Sequence, residues 1–238
     1  MRYLFLHQNF PGQYKHAVRH LARQPGNEVV FLTHKNENRL VNVRKIEYAP
    51  SREPAKETHH YIRELERGVL NAQSVARVCQ ELQREGFRPD IMIGHNGWGE
   101  TLFLKDVWPD VPLLGYFEYF YGARARDLNF DPEFPATFDD LPRVRIKNSI
   151  NLLGLDASDW GQSPTAWQRN LYPGVYVPKI SIVHEGIDTR EIRPKPDISV
   201  TLGDVGVRLT RADEVITLVS RNLEPYRGFP SFMRAAGI

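Results

Sequence analysis

The feature that most narrows what this chain can fold into is a rhythm. Short apolar runs recur, each closed by a polar or glycine-bearing turn and followed by a helical pattern. Residues 2–7 (RYLFLH) are the first run, QNFPGQ is the turn with Pro11 and Gly12, and Tyr14, Ala17, Val18, Leu21 and Ala22 then recur at helical spacing. Gln24-Pro25-Gly26 stops that helix, and Val29–Thr33 (VVFLT) is the second run. Strand, glycine turn, helix, strand is a βαβ unit, which builds a parallel sheet with right-handed crossovers.

The rhythm continues. Val43–Ala49 is a third strand, interrupted by Arg44 and Lys45. Tyr61, Leu65, Gly68, Val69, Ala72, Ala76, Cys79 and Leu82 trace a long helix stopped by Gly86 and Pro89. Asp90–Gly94 is a strand, then a short helix runs toward Trp108-Pro109, and Leu113–Phe117 is the next strand. Residues 123–142 hold Pro132, Pro135, Pro142, Phe130, Phe134 and Phe138, which predicts a packed loop. Ile146, Ile150 and Leu153 predict a helix, Asp159–Gln162 a short strand, and Ser163-Pro164 the cap and first turn of a helix ending at Tyr172. Lys179–Val183 is one more strand.

The tail VITLVSRNLEPYRGFPSFMRAAGI predicts a buried strand (Val215–Val219), a basic turn and a helix opened by Pro230. The expected fold is therefore α/β, a Rossmann-like doubly wound parallel sheet with a truncated second domain. The expected bounds are 1–188 for the first domain, 189–214 for a linker with a small hairpin around Gly203–Gly206, and 215–238 for the first strand and helix of an incomplete second domain.

Composition removes other classes. The net charge of +2 argues against a broad nucleic-acid surface. The single cysteine, Cys79, forbids an internal disulfide and a thiolate zinc cage, and it falls on the apolar side of the long helix. No apolar run is long enough to span a membrane, and MRYLFLHQN is broken by His7 too early for a signal peptide. A cytoplasmic protein is the expectation. There is no phosphate loop ending in Gly-Lys-Ser/Thr, no Gly-x-Gly-x-x-Gly after the first strand and no Gly-x-Ser-x-Gly. His59-His60 are neighbours that do not converge on one metal, so no metal site is expected.

In parallel sheets ligands bind at the C-terminal strand ends. Four such ends carry polar residues with glycine: His7-Gln8-Asn9 with Gly12, His95–Glu100 around Trp98, Glu118-Tyr119 with Gly122, and His184–Asp188 with Glu185. His, Trp and Glu together suit a polyhydroxyl ligand, since imidazole and carboxylate bind hydroxyls and indole stacks on an apolar sugar face. Each has a plainer role. Trp98 serves equally as a core anchor, His7 as a hydrogen-bonded structural residue, and Tyr116–Tyr121 reads as strand packing. Arg221 and Arg227, with Gly228 ahead of a helix, form a basic turn suited to phosphate, though taken alone they read as solvated residues.

The element order, the HEGID strand end and the segment VITLVSRNLEPYRGF resemble a glycosyltransferase of the GT-B fold, close to glycosyltransferase family 4. The resemblance implies an acceptor-side domain followed by the start of a donor domain, and a sugar passed, with retention, from a nucleotide-diphosphate sugar to a glycan or lipid-linked acceptor. It implies no metal or other cofactor, and admits peripheral contact at the inner face of the membrane. Arg221 and Arg227 would hold the donor diphosphate with the Gly12 loop nearby. Glu118 would be catalytic, and His95, Trp98, Glu100 and Glu185 would line the acceptor side. The family's first loop commonly carries paired glycines, where this chain has Gly12-Gln13. Many members carry a histidine where this chain has Glu118, and the family's Glu-containing donor motif is not in this chain. The chain on its own is expected to be silent or nearly so. A non-catalytic sugar-binding or scaffolding subunit of the same fold, and a nucleotide-sugar epimerase, are the alternatives.

Overall fold

The computed structural model describes residues 1–123 and 126–237 and divides into two units, Met1–Phe130 with Pro135–Glu185, and Asp131–Phe134 with the chain from Gly186 on. The first unit runs β1 (Arg2–Leu6), α1 (Lys15–Leu21), β2 (Glu28–Thr33), β3 (Val43–Glu47), α2 (Arg63–Arg84), β4 (Ile91–His95), α3 (Leu104–Val107), β5 (Leu113–Tyr116), α4 (Asp140–Lys147), α5 (Ser149–Ala157), β6 (Trp160–Ser163), α6 (Ala166–Arg169) and β7 (Ile180–Ile182). All seven strands are parallel, in the order β3-β2-β1-β4-β5-β6-β7. The order reverses direction between β1 and β4, and in open parallel sheets such a switch point is where ligands bind.

Strand alternation sorts the core into two layers. Leu4, Leu6, Val30, Leu32 and Met92 pack against Val75, Cys79 and Leu82 of α2, and Phe5, Val29 and Phe31 pack against Tyr14, Val18 and Ala22 of the α1 side. Phe117, Leu155, Tyr172 and Ile180 form a third cluster near β6 and β7. Cys79 is fully buried, and burial pushes its thiol pKa up, as an inert core residue requires.

Two expectations need correction. The helix after β6 is capped by Thr165, whose hydroxyl accepts the Gln168 N–H at 3.1 Å, and Ser163 stays in the strand. A side-chain acceptor two residues later outcompetes the Ser-Pro pair.

The second correction concerns the other unit. It holds the hairpin β8 (Val200–Leu202) and β9 (Val207–Leu209), turned through Gly203–Gly206 as expected, and α7 (Phe229–Ala235). Val215–Val219 does not form the expected strand: it has no pairing partner among the described residues, and Val215, Ile216 and Val219 are 48%, 83% and 93% exposed. No described residue of this unit is buried. A strand requires a neighbour for its amides and a second layer for its apolar face, and this unit supplies neither.

Candidate functional site

The site grows from β4. Its last residue, His95, is buried, and the next three residues make a tight 3-10 turn. His95 Nδ1 accepts the Gly97 N–H at 2.9 Å, so the proton resides on Nε2, which donates to Glu118 Oε2 at 2.9 Å. The imidazole is clamped on both faces. Trp98 stacks on it at 4.1 Å and 16°, and Tyr116 at 5.3 Å and 30°. Glu118, just beyond β5, has a side chain 44% exposed and is also approached by the Gln13 amide at 3.5 Å.

The β1 end closes the same group. His7 is buried edge-on to His95 and to Trp98, each at 5.1 Å between ring centres. Its Nδ1 accepts the Asn9 N–H at 2.8 Å, while Nε2 has no well-formed hydrogen bond, although the Gln13 side chain approaches it. Desolvation first, and His95 second, lower its pKa to about 4, so His7 is neutral at physiological pH. Gly12 is required here twice over: its φ is +53°, and a Cβ would lie 2.7 Å from the His7 ring.

The β4 turn is locked from behind. Asn71 of α2 donates to Trp98 O at 2.9 Å, and Thr101 to Asn96 Oδ1 at 2.9 Å. Gly99 has φ +97°, and a Cβ there would meet the Gly68 carbonyl oxygen at 2.2 Å. The turn can therefore press against α2 only with glycine at this position.

Of the expected residues, Gly12, His95, Trp98 and Glu118 come together at the switch point. Trp98 resolves as a half-buried wall of the His95 clamp. Glu185 accepts a hydrogen bond from the Tyr116 hydroxyl and so braces the other wall from the β7 side; burial and then Glu185 raise the Tyr116 pKa. Glu100 is a correction. It is 1% exposed and accepts the buried Tyr48 hydroxyl at 2.6 Å, so it does not line an acceptor surface. The 3-10 turn rotates it inward, and burial raises its pKa despite Tyr48. Arg221 and Arg227 lie in the second unit and are exposed; Arg227 Nε stands 3.7 Å from Glu224. Among the described residues no cluster of three or more His, Cys, Asp or Glu could hold a metal, and no helix is long and apolar enough to cross a membrane.

Sequence reasoning missed Gln13 and Tyr116. Gln13 directly follows the loop glycine, and Tyr116 lies two residues before Glu118, so proximity along the chain was the available signal.

Solved structures of related architecture include the UDP-GlcNAc 2-epimerase from Neisseria meningitidis bound to UDP-GlcNAc, at 13% identity over 77% of this chain and 45% of that one, TM-score 0.42. They also include UGT2 of Phytolacca americana complexed with UDP-2fluoro-glucose and pterostilbene, at 11% identity over 79% of this chain and 54% of that one, TM-score 0.49. This chain spans about half the length of those proteins. No curated protein matches it in sequence. A family model described as the glycosyl transferase family 4 group matches residues 25–192, from the glycine turn after α1 to beyond β7. The chain belongs to the glycosyl transferase family 4 group.

Proposed function

We propose that this chain supplies the acceptor-side part of a glycosyltransferase that moves a sugar, with retention, from a nucleotide-diphosphate sugar to a glycan or lipid-linked acceptor. The observation that carries the proposal is the His95–Glu118 pair at the sheet's switch point. The clamped imidazole fixes the carboxylate by a charge-assisted hydrogen bond, so Glu118 meets a ligand without reorganising. In this reading Glu118 binds hydroxyls of the transferring sugar, and the Gly12 loop lies close to the donor. His95 positions Glu118, and Trp98 and Glu185 shape the acceptor side. The acceptor oxygen bonds to the anomeric carbon as the bond to the diphosphate oxygen breaks, and the acceptor's proton passes to the leaving diphosphate. Arg221 and Arg227 stabilise the charge that develops there.

The test is transfer from UDP-glucose, UDP-N-acetylglucosamine and GDP-mannose by the full-length protein, with Glu118→Gln, Arg221→Ala and Arg227→Ala beside it. Glu118→Gln is expected to lower kcat by about 100-fold. Unchanged activity in both arginine variants contradicts the diphosphate assignment, and donor interconversion without any acceptor contradicts transfer.

A further inference from the structure

The four residues Glu118–Tyr121 follow β5, and their side chains diverge. Glu118 turns to His95, while Phe120 packs inward with its ring 5.3 Å from that of Tyr172. Tyr119 lies beside Trp167 of α6, with ring centres 6.0 Å apart and a 43° tilt, and 5.2 Å from Tyr121. Trp167 is 60% exposed, so its ring is available to a ligand.

Two buried asparagines hold this segment in its irregular shape. Asn148 accepts the Tyr121 N–H at 2.9 Å and donates to Tyr121 O at 2.8 Å, and Asn151 donates to Tyr119 O at 3.1 Å. Burial first, and the neighbouring Asp127 second, raise the Tyr119 pKa to about 12. Among the described residues, Lys147 stands 4.0 Å over the Tyr121 ring, and Arg126 is 3.8 Å from Asp127. Trp167 and the partly buried Tyr119 present an aromatic face.

We propose that Tyr119 and Trp167 form a stacking shelf for a pyranose ring of a neutral glycan acceptor. The shelf starts at the residue next to the proposed catalytic carboxylate. It is aromatic where a sugar presents its C–H face, and it is preorganised, so stacking costs little side-chain entropy. This inference rests on the transfer reading for the identity of its occupant, and it selects a glycan over the phosphate end of a lipid-linked acceptor.

The experiment is retention of this chain on a printed array of immobilised neutral oligosaccharides, with vesicles of phosphatidylglycerol as a second arm. The wild type is expected to be retained on a subset of glycans. Trp167→Ala is expected to weaken that retention about tenfold, and Trp167→Phe to recover most of it. Glycan retention without transfer by the full-length protein removes the catalytic reading and keeps the shelf. Retention on no glycan, binding to vesicles alone, or equal retention by Trp167→Ala of unchanged melting temperature overturns the shelf.

Discussion

Two parts of the molecule carry chemistry-bearing residues and treat them in opposite ways. At the ends of β1, β4 and β5, His7, His95, Trp98 and Glu118 are interlocked by rings and hydrogen bonds and backed by buried asparagines. In the turn from Arg221 to Gly228 the basic residues are exposed, and the Arg227–Glu224 ion pair joins residues of the same turn. The sequence advertises the second more loudly, because a basic turn before a helix is a local pattern. The first is assembled from segments far apart in the chain, and its order comes from the sheet. Preorganisation follows burial and nonlocal packing, not motif strength.

Glycine substitution should separate the two regions most strongly. Gly99→Ala drives a Cβ into the Gly68 carbonyl in a left-handed backbone, so urea unfolding should show a loss of about 3 kcal/mol or more. Gly228→Ala has the same backbone handedness (φ +75°) but open space, and should cost only about 1 kcal/mol. Equal losses would erase the contrast.

Acid should act on the first region next. His7 has a folded pKa of about 4 against a usual 6.5, so the unfolded chain takes up its proton first as pH falls. The stability is present above pH 6.5 and drains away down to about pH 4, by about 3 kcal/mol in all. His7→Asn should flatten that slope in melts between pH 7 and 4; an unchanged slope would place the titration elsewhere.

Glu100 runs the other way. Its carboxyl is held above the usual range by burial, so the folded state keeps a proton that the unfolded chain releases, and stability falls as pH rises past the ordinary carboxylate range. Glu100→Gln should remove that dependence and leave glycan retention unchanged. Lost retention with an intact fold would return Glu100 to the binding surface.

The smallest effect belongs to the tail. Arg227→Ala breaks one exposed ion pair and should lower the unfolding free energy by less than about 0.5 kcal/mol. A larger loss would show packing that the turn lacks.

The parallel sheet was legible because strands buried on both faces read as near-continuous apolar runs, as in VVFLT and DIMIG. The meeting of Gly12, His95 and Glu118 was legible because parallel strands bring their C-terminal ends together. Glu100 was misread because a single 3-10 turn reverses which way a side chain faces, and the turn depends on Gly99 fitting against α2. The Tyr116–Tyr121 pattern reads as strand packing, yet only Tyr116 and Phe117 are fully buried; Asn148 and Asn151 hold the rest through contacts made across long stretches of chain. Val215–Val219 was apolar enough for a strand, but pairing is decided by a neighbour and not by the strand itself.

The central claim is that Glu118, held by His95, is the carboxylate that works on the sugar, whereas Glu100 is structural. The most direct measurement is sugar transfer by the full-length protein carrying Glu118→Gln or Glu100→Gln, with melting temperatures alongside. The account predicts a fall of about 100-fold in kcat for the first at unchanged melting temperature, and near wild-type transfer for the second. Unchanged transfer in Glu118→Gln, or a selective loss in a well-folded Glu100→Gln, would contradict it.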